Sequence, residues 1–429
     1  MTSTPTVAII GLGSRGRNAY AKYAELNPDK MKITAIADIN PERVKEAAQT
    51  FGVQDKNCFN SAGDLLAADK LADILFICTP DREHYSPAIS ALKKGYHLLL
   101  EKPISPDPEE CEEIARLSKE RGLNVVVCHV LRYTSFYSKI KEIIDSRRIG
   151  EIVTIQAIEN VGYYHHAHSF VRGNWRNSVE TSPMILAKCC HDMDILIWLS
   201  GRHIENVHSY GSLFYFRSEK APEGAAMRCT DNCKAKESCP YDAEKIYISS
   251  PLTGVRAGHT DWPNNVLATP ATEESLRRAI ETGPYGRCVF HCDNDVVDHQ
   301  VVNLEMDDKS TISLTMSAFT DTISRQLKVM GTLGEIIADM DTNLISTHVF
   351  GKEPQVFDIN TLKTDLSGHG GGDFRMIDDL LNLFAGGGSS LTSIDKSIES
   401  HLACFAAEYS RTHGGINVPL REAGRLYKG

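Results

Sequence analysis

The glycine-rich segment GLGSRG, at residues 11–16, most constrains the fold of the first third of this chain. It follows an apolar strand pattern and precedes a helical pattern that runs to about residue 27. Gly11 permits a tight turn, Gly13 lets the backbone approach a pyrophosphate, and Gly16 allows the helix to pack closely on the strand. This context predicts a βαβ unit that binds a dinucleotide at the start of the helix. An ordinary βαβ turn without a nucleotide is the alternative.

The next strand pattern, KITAIAD, ends in an acid that indicates which dinucleotide binds. Asp38 follows Gly16 by 22 residues. An acid in this place binds both hydroxyls of the adenosine ribose and repels a 2′-phosphate, so it favours NAD over NADP. Arg15 and Arg43 leave NADP as the alternative. We assign Ser14 and Arg15 to the cofactor site together with the three glycines and Asp38.

Strand and helix patterns continue to alternate up to about residue 130. Residues 73–80, 96–103 and 123–129 read as strands separated by helical patterns, which is typical of a parallel, doubly wound sheet. Ligands of such sheets bind beyond the carboxyl ends of the strands. The further residues predicted to face the cofactor at this edge are Thr79, Pro80, His84, Glu101 and Lys102.

Length, charge and hydropathy exclude several classes of protein. The 429 residues, 42% of them apolar, suffice for two domains with sizeable cores. The net charge of -10 disfavours nucleic-acid and anionic-membrane partners, which require clustered Lys and Arg. No apolar run approaches the ~20 residues of a membrane helix, and the N-terminus does not resemble a signal peptide. We therefore expect a cytoplasmic protein.

The patterns after about residue 150 differ from those of the first third. Residues 151–162 alternate as a strand, and period-two segments cluster between residues 299 and 350, which indicates an antiparallel sheet. Two amphipathic helices follow near the end. We predict a first domain over residues 1–130 and a second over 131–429, with a cysteine-rich insertion at about 217–290.

Taken together, six segments resemble the Gfo/Idh/MocA family (glucose-fructose oxidoreductase and inositol dehydrogenase), and they occur in the family's order. They are GLGSRG, ICTPDREH, GYHLLLEKPIS, RYTSFYSKIKEIIDSRRIGEI, KCCHDMDILIWLSG and DNDVVDHQVVNLEM. The resemblance implies an α/β fold: an N-terminal Rossmann domain with a doubly wound parallel sheet, and a C-terminal α/β domain with a large, mostly antiparallel sheet. It also implies a nicotinamide cofactor and assembly into a homodimer or homotetramer.

Proton transfer is assigned to Lys102 and His191. Oxidising a secondary alcohol requires an acceptor for the hydroxyl proton, and the resemblance places the family's lysine at Lys102 and its acid/base histidine at His191. Family dehydrogenases often have an aspartate four residues before the histidine, where this chain has Ala187. Lys188 is therefore expected to anchor substrate hydroxyls or to tune His191. Asp192 and Asp194 are alternatives for the missing acid.

The segment at residues 160–178 is rich in histidine, arginine and aromatic residues. We interpret it as a loop that lines the substrate pocket, against a surface loop or a His-x-His metal site as alternatives. A glycine-rich segment at 367–375 either brings His369 and Asp373 to the site or is a turn capped by Asp373. The residues predicted to bind substrate are Arg132, His165, Arg172, Trp175, Lys188 and Asp192.

The insertion contains clustered cysteines. Cys229, Cys233 and Cys239, with Cys292 as a more distant fourth ligand, predict a structural zinc site. The spacing of the first three is not a standard zinc spacing, so unliganded thiols, a disulfide or an iron-sulfur centre are the alternatives. Any metal here is expected to be structural, because the family chemistry requires none.

The leading functional hypothesis is an NAD-dependent oxidoreductase that acts on a secondary hydroxyl of a sugar, sugar acid, polyol or inositol. The alternative is an NAD-dependent glycoside hydrolase or lyase, which oxidises its substrate transiently and regenerates NAD in each cycle. A third hypothesis is a regulator that binds the cofactor without turnover.

Overall fold

A computed structural model describes residues 4–362 and 367–427 of the chain. Two sheets organise these residues, one of six parallel strands and one of nine mostly antiparallel strands. This arrangement confirms the fold predicted from the sequence. No helix within the described residues combines the length and the apolar character that a membrane crossing requires.

The six-stranded sheet is built from the first third of the chain. Its strands are β1 (Thr6–Ile10), β2 (Lys32–Ala37), β3 (Cys58–Phe59), β4 (Ile74–Ile77), β5 (His97–Leu100) and β6 (Val125–Val127), and its helices are α1 (Lys22–Leu26), α2 (Pro41–Phe51), α3 (Ala62–Ala67), α4 (Tyr85–Lys93) and α5 (Pro108–Arg121). The strand order is β3-β2-β1-β4-β5-β6. The central strands β1, β4 and β5 are almost wholly buried, because their continuous apolar runs are covered on both faces.

Local signals set the bounds of the helices in this unit. The Asn40 side chain accepts hydrogen bonds from the first turn of α2, Pro41 occupies the first helical position, and Gly52 ends the helix in the left-handed region. Asp107, Pro108 and Gly122 do the same for α5. The helix after the glycine-rich turn begins with a π-helical segment, Ser14–Ala21, which continues directly into α1.

The nine-stranded sheet forms the second layer. Its strands are β7 (Ile152–Asn160), β8 (Ile204–Ser212), β9 (His299–Met306), β10 (Thr311–Ser317), β11 (Ser324–Gly331), β12 (Gly334–Asp339), β13 (Leu344–Val349), β14 (Gln355–Asp358) and β15 (Val418–Pro419). The order is β14-β13-β12-β11-β7-β10-β9-β8-β15, and within the described part of this second sheet only β7 and β10 pair in parallel. In β10, buried and more exposed residues alternate, as a half-covered sheet requires.

The helices of the second unit are α6 (Ser135–Asp145), α7 (Tyr163–His166), α8 (Met184–Ala187), α9 (Cys190–Ser200), α10 (Asn264–Leu267), α11 (Glu273–Thr282), α12 (Ser367–Phe384), α13 (Ile394–Thr412) and α14 (Ala423–Leu426). Short 3₁₀-helices occupy Asp55–Asn57, Asp81–Glu83, Val130–Tyr133, Ser218–Lys220, Val255–Ala257, Pro284–Gly286, Ile359–Thr361 and Leu420–Glu422. π-helical segments occupy Ala167–Arg172 and Lys245–Ser249. Helix α12 packs back on the six-stranded sheet: its Met376 and Ile377 share a core with Ile9 and Phe76. The C-terminal segment thus completes the first unit.

The segment between β8 and β9, residues 213–298, forms a small subdomain with a core of its own. That core contains Phe216, Tyr247, Leu276 and Phe290, and it also takes in Val171 from the segment at 160–178. The predicted insertion thus lies against the loop that was predicted to line the substrate pocket.

Candidate active site

The glycine-rich turn is closed on one side and open on the other. A Cβ atom at Gly11, where φ is +91°, would lie 2.5 Å from the Cys78 carbonyl oxygen, and one at Gly16 would lie 1.9 Å from the Gly11 carbonyl oxygen. A Cβ at Gly13 would meet nothing closer than Arg43 Nη1 at 4.0 Å. Gly11 and Gly16 are therefore required by the fold, whereas Gly13 leaves open the side from which a pyrophosphate would approach.

Asp38 lies directly beside this turn at the carboxyl end of β2. Its carboxylate accepts hydrogen bonds from the backbone amides of Leu12 (2.6 Å) and Asn40 (2.8 Å), and Arg43 Nη1 lies 3.9 Å away. Ser14 is exposed in the first turn of the following helix. An open glycine turn next to a carboxylate at a strand end fits NAD, because the turn receives the pyrophosphate and the carboxylate the ribose hydroxyls.

The substitution Gly13→Ala tests this fit. The backbone at Gly13 (φ -73°, ψ -162°) accommodates alanine, so we expect the melting temperature to stay at the wild-type value. NAD affinity should fall about tenfold or more, since the methyl group occupies space that the pyrophosphate needs. Gly16→Ala should instead destabilise the fold itself, by about 1–3 kcal/mol. Calorimetric NAD titration and thermal unfolding measure both effects, and unchanged NAD affinity in Gly13→Ala would contradict the assignment.

Arg15 joins the glycine turn to the lysine-bearing turn after β5. It forms ion pairs with Glu101 (2.8 Å) and Asp373 (2.6 Å), and its Nη2 donates to the Tyr20 hydroxyl. Burial alone would raise the pKa of Glu101, but Arg15 and Tyr20 outweigh it and the pKa is lowered. Arg15 and Glu101 are both predicted to contact the cofactor, and their ion pair joins the glycine turn to the turn after β5. Asp373 reaches the site, as one interpretation of its segment predicted, whereas the side chain of His369 lies outside the described residues.

Residues after β4 support the same edge. His84 is buried, with Nε2 at 2.8 Å from the Thr79 carbonyl oxygen and Nδ1 at 2.7 Å from that of Pro103. This is a correction to its assignment as a cofactor contact, because both ring nitrogens face backbone carbonyls and the ring instead fixes the two turns. Thr79 is half-buried and Pro80 exposed at the carboxyl end of β4.

Lys102 and the helix that bears His191 meet at this edge. Lys102 lies beyond the end of β5, and its Nζ donates to the carbonyl oxygen of Ala187 (2.8 Å), four residues before His191. Burial raises the pKa of Cys190 to about 12, and the charge of Lys102 acts in the opposite direction. Lys102 is therefore positioned at the first turn of α9, where His191 is buried with 9% of its surface exposed.

A buried ionic network lies next to this junction, and two of its members were missed by the sequence analysis. Glu159, at the end of β7, lies 3.2 Å from Lys188 and 2.9 Å from Arg325 of β11. Arg325 also pairs with Asp192 at 2.8 Å. Burial raises the pKa of Glu159 to about 6, against the opposing charges of Arg325 and Lys188. An acid with a raised pKa thus lies beside Lys188, three residues before His191.

Glu159→Gln tests this titration through stability. The folded-state pKa of about 6 exceeds the ordinary 4.5, so protonated Glu159 favours folding, and that contribution is lost as pH rises through 4.5 to 6. Glutamine cannot titrate. The unfolding free energy of the variant should therefore rise relative to wild type by about 2 kcal/mol between pH 4 and pH 7. Urea denaturation at several pH values measures it, and a pH-independent difference would mean that Glu159 titrates normally.

Two of the predicted substrate residues lie around the network and the Rossmann edge. Lys188 contributes, after burial, to lowering the pKa of His165, and the ring of His165 is 4.8 Å from that of Trp262 in the insertion. Trp175 donates from Nε1 to Asp81 (3.1 Å) and so ties the segment at 160–178 to the loop after β4.

The other two predicted substrate contacts, Arg132 and Arg172, need correction. Arg132 is buried in a two-bond ion pair with Asp194, at 2.6 and 2.7 Å. Arg172 is 1% exposed and donates to the carbonyl oxygens of Arg287 and Tyr241 in the insertion. Both guanidinium groups hold parts of the protein together. The pairing also removes Asp194 from the alternatives for the missing acid.

Two further imidazoles lie behind His191. The ring of His129 is 5.7 Å from that of His191 and 5.6 Å from that of His401 in α13. Burial lowers the pKa of His129 far below its usual range and that of His401 to about 3, so both rings are neutral. His401 Nε2 accepts a hydrogen bond from the Ile104 amide, next to the lysine-bearing turn. The histidine after β6 was visible in the sequence, but no local signal marks His401.

Comparison with known proteins matches both parts of the chain. Residues 6–129 match the NAD-binding Rossmann fold of the Gfo/Idh/MocA oxidoreductase family, and residues 141–414 match the family's C-terminal α/β domain. The chain belongs to the Gfo/Idh/MocA oxidoreductase family. This membership confirms the resemblance drawn from the motifs.

Several curated members of the Gfo/Idh/MocA family are similar to the chain. YteT of Bacillus subtilis strain 168, named as an oxidoreductase, is 23% identical over 87% of this chain and 88% of its own length. A 2,7-anhydro-N-acetylneuraminate hydratase of Escherichia coli K12 is 28% identical over 47% of this chain. An inositol 2-dehydrogenase of Corynebacterium glutamicum strain R is 24% identical over 48%. The matches to the latter two span 51% and 57% of those proteins' lengths.

Solved structures of the Gfo/Idh/MocA family share the fold over nearly the whole chain. An Agrobacterium radiobacter oxidoreductase in complex with NAD+, L-tartaric acid and magnesium aligns with a TM-score of 0.69 at 14% identity, covering 97% of this chain and 98% of its own. The WlbA dehydrogenase of Bordetella pertussis, in complex with NADH and UDP-GlcNAcA, aligns with a TM-score of 0.66 at 17% identity and the same coverage.

The side chains of the cysteines predicted to bind zinc are not arranged to coordinate a metal ion in the described residues. Within residues 4–362 and 367–427, no group of three or more His, Cys, Asp or Glu side chains is arranged to hold a metal ion. Cys229, Cys233, Cys239 and Cys292 are all free thiols, and Cys292 Sγ donates to the Cys288 carbonyl oxygen at 3.2 Å. Zinc therefore stays a prediction.

Proposed function

We propose that this protein is an NAD-dependent oxidoreductase that transfers hydride between nicotinamide and a secondary hydroxyl of a sugar, sugar acid, polyol or inositol. The observation that carries the proposal is the hydrogen bond from Lys102 to the Ala187 carbonyl oxygen at the end of α8, four residues before His191, at the carboxyl edge of a sheet whose glycine turn is open at Gly13. Bound NAD supplies the hydride acceptor, and the protein supplies binding, orientation and proton transfer.

Lys102 and His191 carry the proton chemistry in this proposal. The Lys102 ammonium, which donates to the Ala187 carbonyl oxygen, exchanges that partner for the substrate hydroxyl and polarises it. His191 accepts the hydroxyl proton as the alcohol becomes a ketone. The neutral His129 and His401 behind it keep the interior free of further charge.

The ionic network suits a polyhydroxylated substrate. Lys188 and Arg325 present donors and Glu159 and Asp192 present acceptors at one place, a mixture that matches several adjacent hydroxyl groups. The half-buried His165 and the Trp262 indole add the flat faces on which sugar rings stack. Similarity to an inositol 2-dehydrogenase and to a dehydrogenase solved in complex with UDP-GlcNAcA supports this substrate class.

A second candidate is a hydratase, lyase or glycosidase that recycles NAD within each cycle. The chain is similar over about half its length to a protein named as a hydratase. It also buries an acid, Glu159, whose pKa of about 6 suits proton transfer to a leaving group. Transient oxidation next to a C–H bond would acidify that bond and permit elimination.

Incubation with NAD and a panel of free sugars, inositols, sugar acids and nitrophenyl glycosides distinguishes the two candidates. Absorbance of NADH and release of nitrophenol are followed in the same wells. Accumulation of NADH with a free sugar or inositol supports the oxidoreductase. Nitrophenol released only with NAD, and without net NADH, supports the recycling enzyme. Tight NAD binding with neither product across the panel would contradict both.

A further inference from the structure

Two cysteines from distant parts of the insertion are held side by side by the backbone. Arg228 and Arg287 form an isolated antiparallel bridge. The Cys229 amide donates to the Gly286 carbonyl oxygen (3.0 Å), and the Cys288 amide donates to that of Met227 (2.9 Å). Because the main chain fixes this pairing, Cys288 is the partner of the first cysteine cluster. The sequence alone suggested Cys292.

Four thiols line one small cavity of the insertion. The cavity has a volume of about 20 Å³, and its lining includes Cys229, Cys233, Cys239 and Cys288. This volume is roughly what one water molecule requires. One metal ion fits in this space.

Arg172 brings an uncompensated positive charge to the same cavity. Its side chain lines the cavity, is 1% exposed and contacts Cys229 Sγ from Nη2 at 3.5 Å. Nη1 is buried without a hydrogen-bond partner, and among the described residues no carboxylate forms an ion pair with this guanidinium. Buried charges are costly unless they are paired. The groups at hand that could supply negative charge are the thiols, once they are ionised.

Backbone amides face three of the thiols. The Ala243 amide donates to Cys229 Sγ at 3.4 Å. The backbone amides of Tyr241 and Phe290 lie against Cys239 and Cys288. Donors directed at sulfur stabilise thiolates, which are the form that binds metal.

We propose that Cys229, Cys233, Cys239 and Cys288 bind one Zn²⁺ ion in a tetrahedral structural site, with Arg172 compensating part of its charge. Binding releases four thiol protons to solvent and leaves a zinc-tetrathiolate group of net charge -2 beside the guanidinium. The thiols are not yet arranged for ligation in the described residues, so metal binding requires their side chains to rotate into the cavity. Cys292 does not line this cavity, and its Sγ donates to the Cys288 carbonyl oxygen, so it is not among the proposed ligands.

Zinc at this place would tie the two ends of the insertion together. The insertion carries Trp262, whose ring is 4.8 Å from His165 and 5.4 Å from His168. Arg172 belongs to the same segment, 160–178, as these histidines. The metal would therefore fix the wall of the candidate active site without taking part in its chemistry.

Metal content of the full-length protein tests the proposal. The protein is expressed in zinc-supplemented medium, purified without chelators, and analysed by elemental mass spectrometry. We expect about one zinc per chain in wild type and in Cys292→Ser, and less than about a fifth of that in Cys288→Ser, since loss of one of four ligands opens the site. Replacement of zinc by Co²⁺ should give the intense absorption of thiolate-to-cobalt charge transfer.

Other outcomes would overturn the proposal. Wild-type protein without zinc, iron in place of zinc, equal zinc in Cys288→Ser and wild type, or equal loss in Cys288→Ser and Cys292→Ser would each do so. If Cys288→Ser does not fold, wild-type protein is titrated with an organomercurial thiol reagent beside a zinc indicator. Release of about one zinc per chain as four thiols react supports the site, and thiol reaction without zinc release contradicts it.

Discussion

Lys102→Met is expected to reduce kcat/KM by about 10²- to 10⁴-fold with the sugar or polyol that gives the fastest NADH formation. Methionine has a similar length but offers no donor to a substrate hydroxyl. The variant should fold, because the lost interaction is a single hydrogen bond from Nζ to the Ala187 carbonyl oxygen. NAD affinity should change by less than about threefold, since Gly13 and Asp38 are the residues predicted to bind the other end of the cofactor.

Steady-state kinetics and calorimetric NAD titration measure the two quantities separately. Lys119→Met is the matched control, because it removes an exposed lysine of α5 and should leave both unchanged. Lys102→Arg keeps the charge but changes its geometry, so it should recover only part of the rate. If Lys102→Met turned over substrate at the wild-type rate, the proton chemistry would belong to another residue.

The first unit could be predicted from the sequence because its signals are local. The run VAII, the turn GLGSRG and the acid Asp38 follow one another within 32 residues, and Gly11 and Gly16 are required by contacts within that same unit. Strands that are buried on both faces can be identified in a sequence by their continuous apolar runs. The parallel sheet and the position of Lys102 at its edge follow from these signals.

The ionic network could not be predicted in the same way. Glu159 and Arg325 lie far apart in sequence and meet only because β11 pairs with β7. A charged residue at a strand end normally faces solvent, so the sequence pattern does not indicate that either residue is buried. The same limit applies to Arg132: its ion pair with Asp194 joins a turn after β6 to α9, and a sequence pattern cannot distinguish such a pair from a substrate contact.

Long-range packing also decides the role of the C-terminal segment. Helix α12 was read as an amphipathic helix of the second domain. Its apolar face covers the six-stranded sheet, and Asp373 at its start pairs with Arg15 of the glycine turn. Amphipathicity shows that a helix has a face to bury, but it does not show against which sheet.

Asp194→Ala is expected to cause the largest loss of stability among the substitutions considered. Arg132 and Asp194 are both buried, with contacts of 2.6 and 2.7 Å, and burial raises the pKa of Asp194 against the opposing effect of Arg132. Removing the carboxylate leaves a buried guanidinium that keeps only backbone acceptors such as the Leu391 carbonyl oxygen. The unfolding free energy in urea should fall by about 3–5 kcal/mol.

Two control variants test whether the loss of stability comes from the burial of the ion pair. Glu274→Ala breaks a pair with Arg278 of similar length, 2.8 Å, but whose side chains are 84% and 73% exposed, so the unfolding free energy should change by less than about 1 kcal/mol. The double variant Arg132→Met with Asp194→Leu should recover much of the stability lost by Asp194→Ala, because it removes the unpaired charge together with its partner. If the double variant were no more stable than Asp194→Ala, the loss would arise from packing around α9 and not from an uncompensated charge.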